Sequence, residues 1–184
     1  MSRAKVSHAG FVLDWLEELA LIAVANLCLV LSAQAAVRLP FTPVPITAQT
    51  LAVLMAGALL GRRRGTLAVL AYLAEGAAGL PVFAGGAGGL PYMLGPTGGY
   101  LAGFLLAAYI TGGLKDRGWE RRPLSALAML ALGNLAIYLP GLLWLSRFVG
   151  PEKALALGFF PFLIGDALKL ALGAPALLLA RRRR

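Results

Sequence analysis

Residues 124–145 read LSALAMLALGNLAIYLPGLLWL and contain no charged side chain. A helix needs roughly 20 apolar residues to cross the hydrocarbon of a bilayer, and this stretch is long enough. Five more apolar runs have the same character, so six crossings would use about 120 residues. The predicted spans cover residues 19–37, 46–60, 66–80, 97–114, 124–145 and 161–180. The sequence therefore predicts an all-α membrane protein in which residues 1–184 form a single transmembrane domain.

The composition excludes several classes of protein. Of the 184 residues, 59% are hydrophobic and 14% are charged, which is more apolar surface than a soluble domain of this size could bury. The net charge of +9 does not indicate nucleic acid binding, because the basic residues lie between apolar runs and form no stripe with stacking aromatics. The single cysteine, Cys28, is expected to be a buried small side chain, and His8 lies in the polar N-terminal segment. With so little His and Cys, a hydrolase or a metalloenzyme is not expected, nor is any cofactor or metal.

The distribution of Lys and Arg predicts which way the spans run. With six spans, three basic residues lie in outer loops: Arg38, Arg147 and Lys153. On the other side lie Arg3, Lys5, Arg62, Arg63, Arg64, Lys115, Arg117, Arg121, Arg122, Arg181, Arg182, Arg183 and Arg184. Because positive charge accumulates in cytoplasmic loops, both termini are predicted to be cytoplasmic.

The two predicted outer segments differ from the basic inner loops. Residues 38–45 and 81–96 are rich in Pro, Gly and aromatic side chains. Such segments either form a lid or pocket wall or serve as tight connectors between helices. The glycine-rich run at 85–89 lacks the Gly-Lys-Ser/Thr ending of a phosphate-binding loop, so no ATPase site is expected.

Ionisable residues inside a span are the strongest functional signal in this chain. Asp166 and Lys169 are three residues apart in the sixth span, so they lie on one helix face near the outer surface. Charges at that depth are costly and usually mark a ligand or ion path, the alternative being a mutually neutralising ion pair. Glu75, in the third span, could pair with Lys169 or Arg38 or reach the outer interface.

Two neutral polar residues in the fifth span could join the same site. Asn134 and Tyr138 are four residues apart and share a helix face, and Tyr138 is predicted at a depth similar to that of Asp166. They would either bind a small polar ligand or hold helices together.

Several motifs, taken in order, resemble the BioY family. They are LPFTPVPITAQTL at 39–51, GLPVFAGG at 79–86, LGPTGGYL at 94–101, Gly133-Asn134 with Ile137-Tyr138, and DALK at 166–169. Members of that family are the biotin-specific substrate-binding subunits, or S components, of energy-coupling factor (ECF) transporters. The resemblance covers roughly residues 20–175 and implies the fold of an ECF S component, with six helices and cytoplasmic termini.

The resemblance also implies function and partners. It implies high-affinity biotin uptake across the cytoplasmic membrane by a transporter subunit that is not an enzyme. Its partners would be biotin, membrane lipid, a transmembrane coupling subunit and two ATPase subunits, and not nucleic acid. The alternatives are an S component for another small vitamin, or a solitary biotin transporter. In the family, the first helix docks on the coupling subunit through two small residues four positions apart. In this chain Ala23 is followed four positions later by the larger Leu27, and Ser32 with Ala36 is another pair at that spacing, so the motif is degenerate.

Contacts to biotin follow from the same resemblance. Asp166 and Lys169 are implied to bind it directly, since a carboxylate can accept ureido N–H groups and an ammonium can meet an oxygen. Because they lie in the two predicted outer segments, Phe41, Phe83 and Tyr92 are hypothesised to enclose the thiophane ring and valeryl chain. The residues expected near the ureido ring are Gly85, Gly86, Asn134 and Tyr138.

Overall fold

The computed structural model describes residues 8–182, with side chains described for 13–180, and these residues are mostly helical. The long helices are α1 (His8–Gln34), α2 (Gln49–Ala77), α4 (Gly98–Lys115), α5 (Pro123–Val149) and α7 (Leu163–Arg182). Two shorter helices are α3 (Leu90–Met93) and α6 (Pro151–Gly158). Single turns of 3-10 helix occupy Ala84–Gly86, Trp119–Arg121 and Phe160–Phe162. The basic residues Arg3, Lys5, Arg183 and Arg184 lie outside the described residues, as do the side chains of His8, Arg181 and Arg182.

Helix α2 reverses direction at Gly61 and so supplies two antiparallel helices. Gly61 has φ 83° and ψ 179°, a conformation that residues with a side chain rarely adopt. The hydrogen bond between Gln49 and Tyr72 shows the reversal directly, because these residues would be about 34 Å apart in a straight helix. The reversal lies between the predicted runs 46–60 and 66–80, although residues 46–47 form a strand, the helix ends at Ala77, and only Gly61 departs from helical structure between them.

Three helical segments are long and apolar enough to cross a membrane among the described residues. They are Leu13–Gln34, Pro123–Val149 and Pro151–Ala180. The third joins α6 and α7 through the turn at Phe160–Phe162.

The core lies where α2, α4 and α5 pack together. Leu54, Val69, Leu130 and Ile137 are almost fully buried there. Glycine allows close approach of the backbones, since a Cβ at Gly103 would lie 2.7 Å from the carbonyl oxygen of Ile137. Helix α1 packs on the outside of this core, with many of its apolar side chains exposed.

Some sequence expectations need correction. The first predicted span continues to residue 37, but α1 ends at Gln34 and β1 (Ala36–Val37) pairs antiparallel with β2 (Ile46–Thr47). The all-α prediction therefore missed a two-stranded hairpin, whose connecting loop contains prolines that cannot continue a helix. The expectation that Cys28 is buried is wrong, because it is exposed in a groove between α1 and α2. Helices α3 and α6 are too short to give a clear apolar run and were not anticipated.

Candidate functional site

A buried carboxylate lies near the start of α7. The Asp166 residue is only 5% exposed. Its Oδ2 atom accepts hydrogen bonds from the Tyr138 hydroxyl at 2.5 Å and from Asn134 Nδ2 at 2.9 Å. Asn134 and Tyr138 are on adjacent turns of α5, so one face of that helix presents both donors, as their spacing predicted.

Lys169 completes the network and connects it to a third helical segment. Its Nζ atom donates to Asp166 Oδ1 at 3.1 Å and to Thr50 Oγ1 at 2.7 Å. The prediction that Asp166 and Lys169 share a helix face is confirmed by this contact. Thr50 lies in the first turn of α2, so the network connects α2, α5 and α7.

The electrostatics of this cluster suit a polar ligand with N–H groups. The carboxylate and the ammonium compensate each other, and the side chain of Lys169 is only 17% exposed. The Asn134 Oδ1 atom is buried without a hydrogen-bond partner in the described part of the chain. A buried acceptor without a donor is unfavourable, so this oxygen is the unsatisfied polar group of the cluster.

A cavity opens directly beside these residues. Its volume is about 50 Å³, which is smaller than is usual for a site that holds a whole small molecule. Its walls are mostly apolar and aromatic, with polar groups at a few places. They are formed by Val44, Pro45, Thr47, Gln49, Thr50, Ala84, Tyr92, Thr97, Tyr100, Leu101, Phe104, Ile137, Tyr138, Phe162, Asp166 and Lys169.

The aromatic wall is held in place by its own contacts. The Tyr100 hydroxyl donates to the carbonyl oxygen of Gly158 at 2.8 Å, and its ring meets Tyr138 edge to face at 6.4 Å between centroids. Phe104 and Phe162 are nearly buried beside them. A rigid wall of this kind provides flat apolar surface at low entropic cost to a ligand.

Loops cover the cavity on the side of the hairpin, which we call the cavity end of the bundle. The Thr42 hydroxyl in the hairpin loop donates to the carbonyl oxygen of Leu157 in α6 at 2.6 Å. The indole of Trp144 donates to the carbonyl oxygen of Gly95 at 2.9 Å. The interpretation of these segments as a pocket wall agrees with the lining, since Pro45 and Thr97 belong to them or border them.

A second space, which we call the vestibule, is lined by these loops and shares Pro45, Tyr92 and Thr97 with the cavity. Arg38 contributes the basic side chain of its lining. Tyr92 stands between the two spaces, and burial raises the pKa of its hydroxyl, which keeps it a neutral hydrogen-bonding group.

The structure brings five of the predicted site residues together and leaves four apart. Asp166, Lys169, Tyr138 and Tyr92 line the cavity, and Asn134 lies outside the lining but is hydrogen-bonded to Asp166. The four that neither line the cavity nor join this hydrogen-bond network are Phe41, Phe83, Gly85 and Gly86.

Each of these four has a physical reason for its position. Phe41 is at the tip of the hairpin loop and is 57% exposed. Phe83 is fully buried, with its ring against Gly76 and stacked on Tyr92 at 5.2 Å. Gly85 and Gly86 have φ values of 68° and 76° and form a turn, so it is Ala84 that reaches the cavity wall.

Other cavity residues were not singled out from the sequence. Thr47, Gln49 and Thr50 lie in the proline-rich stretch whose motif was noticed as a whole, and Thr50 proves to be the partner of Lys169. Tyr100 follows the glycines of the 94–101 motif. The 94–101 motif was the sequence signal that could have identified Tyr100. Contacts between helices that are distant in the sequence leave no periodicity of their own.

Glu75 has a different partner from those considered. Its Oε1 atom accepts a hydrogen bond from Asn26 Nδ2 at 3.1 Å, which connects α1 to the second half of α2. Within the described residues, no group of three or more His, Cys, Asp or Glu side chains could hold a metal ion.

Known proteins resemble this chain over most of its sequence. A family model described as "BioY family" matches residues 2–184. "Probable biotin transporter BioY" of Pyrococcus horikoshii is 42% identical over 151 residues, covering 82% of this chain and 87% of that protein. "Biotin transporter BioY" of Thermotoga maritima is 38% identical over 139 residues, covering 75% of this chain and 81% of that protein.

A solved structure is also similar along most of its length. It is the crystal structure of the S-component for biotin from an ECF-type ABC transporter. The TM-score is 0.82 and the sequence identity 30%, covering 92% of this chain and 93% of the other.

Proposed function

The chain belongs to the BioY family, and from this premise we propose that it binds biotin as the substrate-binding subunit of a biotin uptake system. Relatives named biotin transporter and the similar S-component for biotin support this assignment. The observation that carries it is the ion pair of Asp166 and Lys169 in the wall of a mostly apolar cavity. Charged side chains buried in a membrane helix are retained where a ligand needs them.

The chemistry of biotin suits the distribution of polar groups. Its ureido ring carries N–H donors and one oxygen, which correspond to the acceptor Asp166 and to the donor Lys169 in the cavity lining. The thiophane ring and valeryl chain would lie along the wall of Tyr100 and Phe104. The carboxylate of biotin would then extend towards the vestibule. There Arg38 can form an ion pair with it, and the negative charge of Asp166 is more distant.

The proposed topology has six transmembrane helices with both termini in the cytoplasm, in one transmembrane domain covering 1–184. The reversal at Gly61 supports counting α2 as two crossings, and the accumulation of Lys and Arg away from the cavity end supports the orientation. Biotin would then enter from outside the cell. The protein would lie in the cytoplasmic membrane as a multi-pass component.

Energy for uphill transport is proposed to come from partner subunits. The likeness to an S-component of an ECF-type ABC transporter supports a transmembrane coupling subunit and two ATPase subunits as partners. The chain has no Gly-Lys-Ser/Thr phosphate-binding motif of its own, consistent with a transporter subunit that is not an ATPase. A solitary transporter is the alternative arrangement with the same binding site.

Uptake of labelled biotin by auxotrophic cells that lack their own importer tests this proposal. The cells would express the chain with or without a coupling subunit and two ATPase subunits. We expect uptake that requires the chain and falls in the Asp166→Asn variant. The exposed Glu152 offers a matched control, because Glu152→Gln makes the same chemical change at a residue outside the cavity lining. No uptake under any combination, from protein that reaches the membrane, would contradict the proposal.

A further inference from the structure

A second, larger cleft lies at the opposite end of the bundle from the biotin cavity. It lies between the reversal of α2 and the last turns of α4 and has a volume of about 790 Å³. Gly61 is 12 residues beyond Gln49, so the cleft is about 18 Å along the helix from the cavity end. Arg62, Arg63 and Arg117 line it, together with the single acid Asp116.

Arg62 is held firmly but has no acidic partner. Its guanidinium carbon lies 4.6 Å from the centre of the Tyr109 ring, and Nη1 donates to the Tyr109 hydroxyl at 3.3 Å. A Cβ at Gly113 would lie 2.6 Å from Nη2, so the guanidinium lies directly against the backbone of α4. No carboxylate in the described part of the chain forms an ion pair with it, and its Nε is buried without a hydrogen-bond partner.

The acid in the cleft does not compensate this charge. Asp116 Oδ2 accepts a hydrogen bond from the backbone N–H of Arg62 at 3.1 Å, which caps the helix that restarts after Gly61. Its Oδ1 atom is 3.9 Å from Lys115 Nζ. Asp116 therefore has two partners already, while Thr66 offers a hydroxyl without a partner to the same cleft.

An anion with several oxygens would accept hydrogen bonds from both Arg62 Nε and the Thr66 hydroxyl. A planar guanidinium presents N–H groups in a fork that matches a phosphate, and a fixed guanidinium loses little entropy on binding. Arg63 pairs with Glu18 at 3.5 Å but remains 70% exposed, so it can also face an anion. Arg117 adds a third positive charge at the rim.

The apolar sides of the cleft indicate that this anion is attached to a lipid. Leu67 is 38% exposed and Tyr109 is 48% exposed, and both line the cleft. Next to a bilayer these side chains would contact acyl chains, and tyrosine is typical of the membrane interface. We propose that this cleft binds the phosphate of an anionic phospholipid in the leaflet on that side. The inference rests on the proposed membrane topology and is independent of biotin.

Native mass spectrometry of the detergent-solubilised chain tests the proposal. Phosphatidylglycerol, phosphatidylcholine and inorganic phosphate would be titrated separately. We expect one phosphatidylglycerol to bind at least about tenfold more tightly than phosphatidylcholine, and the preference to be lost in Arg62→Gln. Equal binding of the two lipids would overturn the proposal. Binding of inorganic phosphate as strong as that of phosphatidylglycerol would overturn the assignment to lipid.

Variants separate the lipid site from a general effect on folding. Arg147 also lies over an aromatic ring, that of Trp144 at 5.0 Å, but at the cavity end, so Arg147→Gln is the matched control. We expect the control to keep the preference for phosphatidylglycerol and Arg117→Gln to weaken it even if Arg62→Gln does not fold. An unchanged preference in both cleft variants would refute the inference. Biotin binding should survive in Arg117→Gln, so failure of this proposal and failure of the proposed function give different results.

Discussion

Replacing Asp166 by asparagine removes one charge and almost no volume. The amide oxygen can take the place of Oδ2 and keep the donors Tyr138 and Asn134, at 2.5 and 2.9 Å in the native network. The amide NH₂ then faces Lys169 Nζ across the 3.1 Å now occupied by the ion pair, so two donors oppose each other. Breaking a buried pair in this way costs about 3–5 kcal/mol of stability. Loss of a charged acceptor costs a ligand about 1.5–3 kcal/mol, or roughly 10- to 150-fold in affinity.

The double variant Asp166→Asn with Lys169→Met separates stability from binding. Removing the unpaired ammonium should recover much of the lost stability, because a neutral pair replaces a buried charge. Thermal unfolding in detergent would measure the first effect and calorimetric titration of biotin the second. We expect the double variant to be more stable than Asp166→Asn and still defective in binding. If the double variant bound biotin like the native chain, the pair would merely neutralise itself and the reasoning would be refuted.

Three further substitutions follow from the same geometry. Thr50→Val removes the acceptor 2.7 Å from Lys169 Nζ and should weaken biotin binding about five- to tenfold by releasing the ammonium, measured by calorimetry. Gly76→Ala places a Cβ within the ring of Phe83 and should cost about 1–3 kcal/mol, measured by thermal unfolding. Phe41→Ala should change biotin affinity less than threefold (about 0.6 kcal/mol), because that side chain is exposed and outside the cavity wall.

Two of these predictions have a comparison variant in the same chain. Gly165→Ala meets no atom within 4 Å and should be neutral or slightly stabilising, unlike the change at Gly76. Tyr92→Ala removes a ring that lines the cavity and should reduce biotin affinity about tenfold or more, unlike the change at Phe41. A native melting temperature in Gly76→Ala, native affinity in Thr50→Val, or a large loss in Phe41→Ala would contradict the corresponding contact.

Helices were predictable wherever an apolar run lay between charges. The run 124–145 became α5, and the basic cluster Arg62 to Arg64 marked the boundary between two runs. The sequence did not reveal that the boundary is a single glycine conformation at Gly61, capped by Asp116 from another helix. The hairpin at Ala36–Val37 was missed because two-residue strands form by pairing and carry little local signal.

In the candidate site, too, local patterns were predictable and contacts between distant segments were not. Asp166, Lys169, Asn134 and Tyr138 could be paired from helical spacing, since residues three or four apart share a face. Thr50 and Tyr100 depend on which helices pack together, and no spacing within one helix contains that information. The direction of Phe41, which is exposed and outside the cavity lining, was not predictable, because an aromatic side chain in a loop has no periodicity to fix its direction.

Calorimetric titration of biotin into the purified, ligand-stripped chain tests the central claim most directly. Desthiobiotin, thiamine and riboflavin would be titrated in parallel to separate biotin from other small vitamins. We predict tight one-to-one binding of biotin, weak or no binding of thiamine and riboflavin, and loss of the biotin signal in Asp166→Asn. Preference for another vitamin, or no binding of biotin by a folded sample, would contradict the assignment of this cavity to biotin.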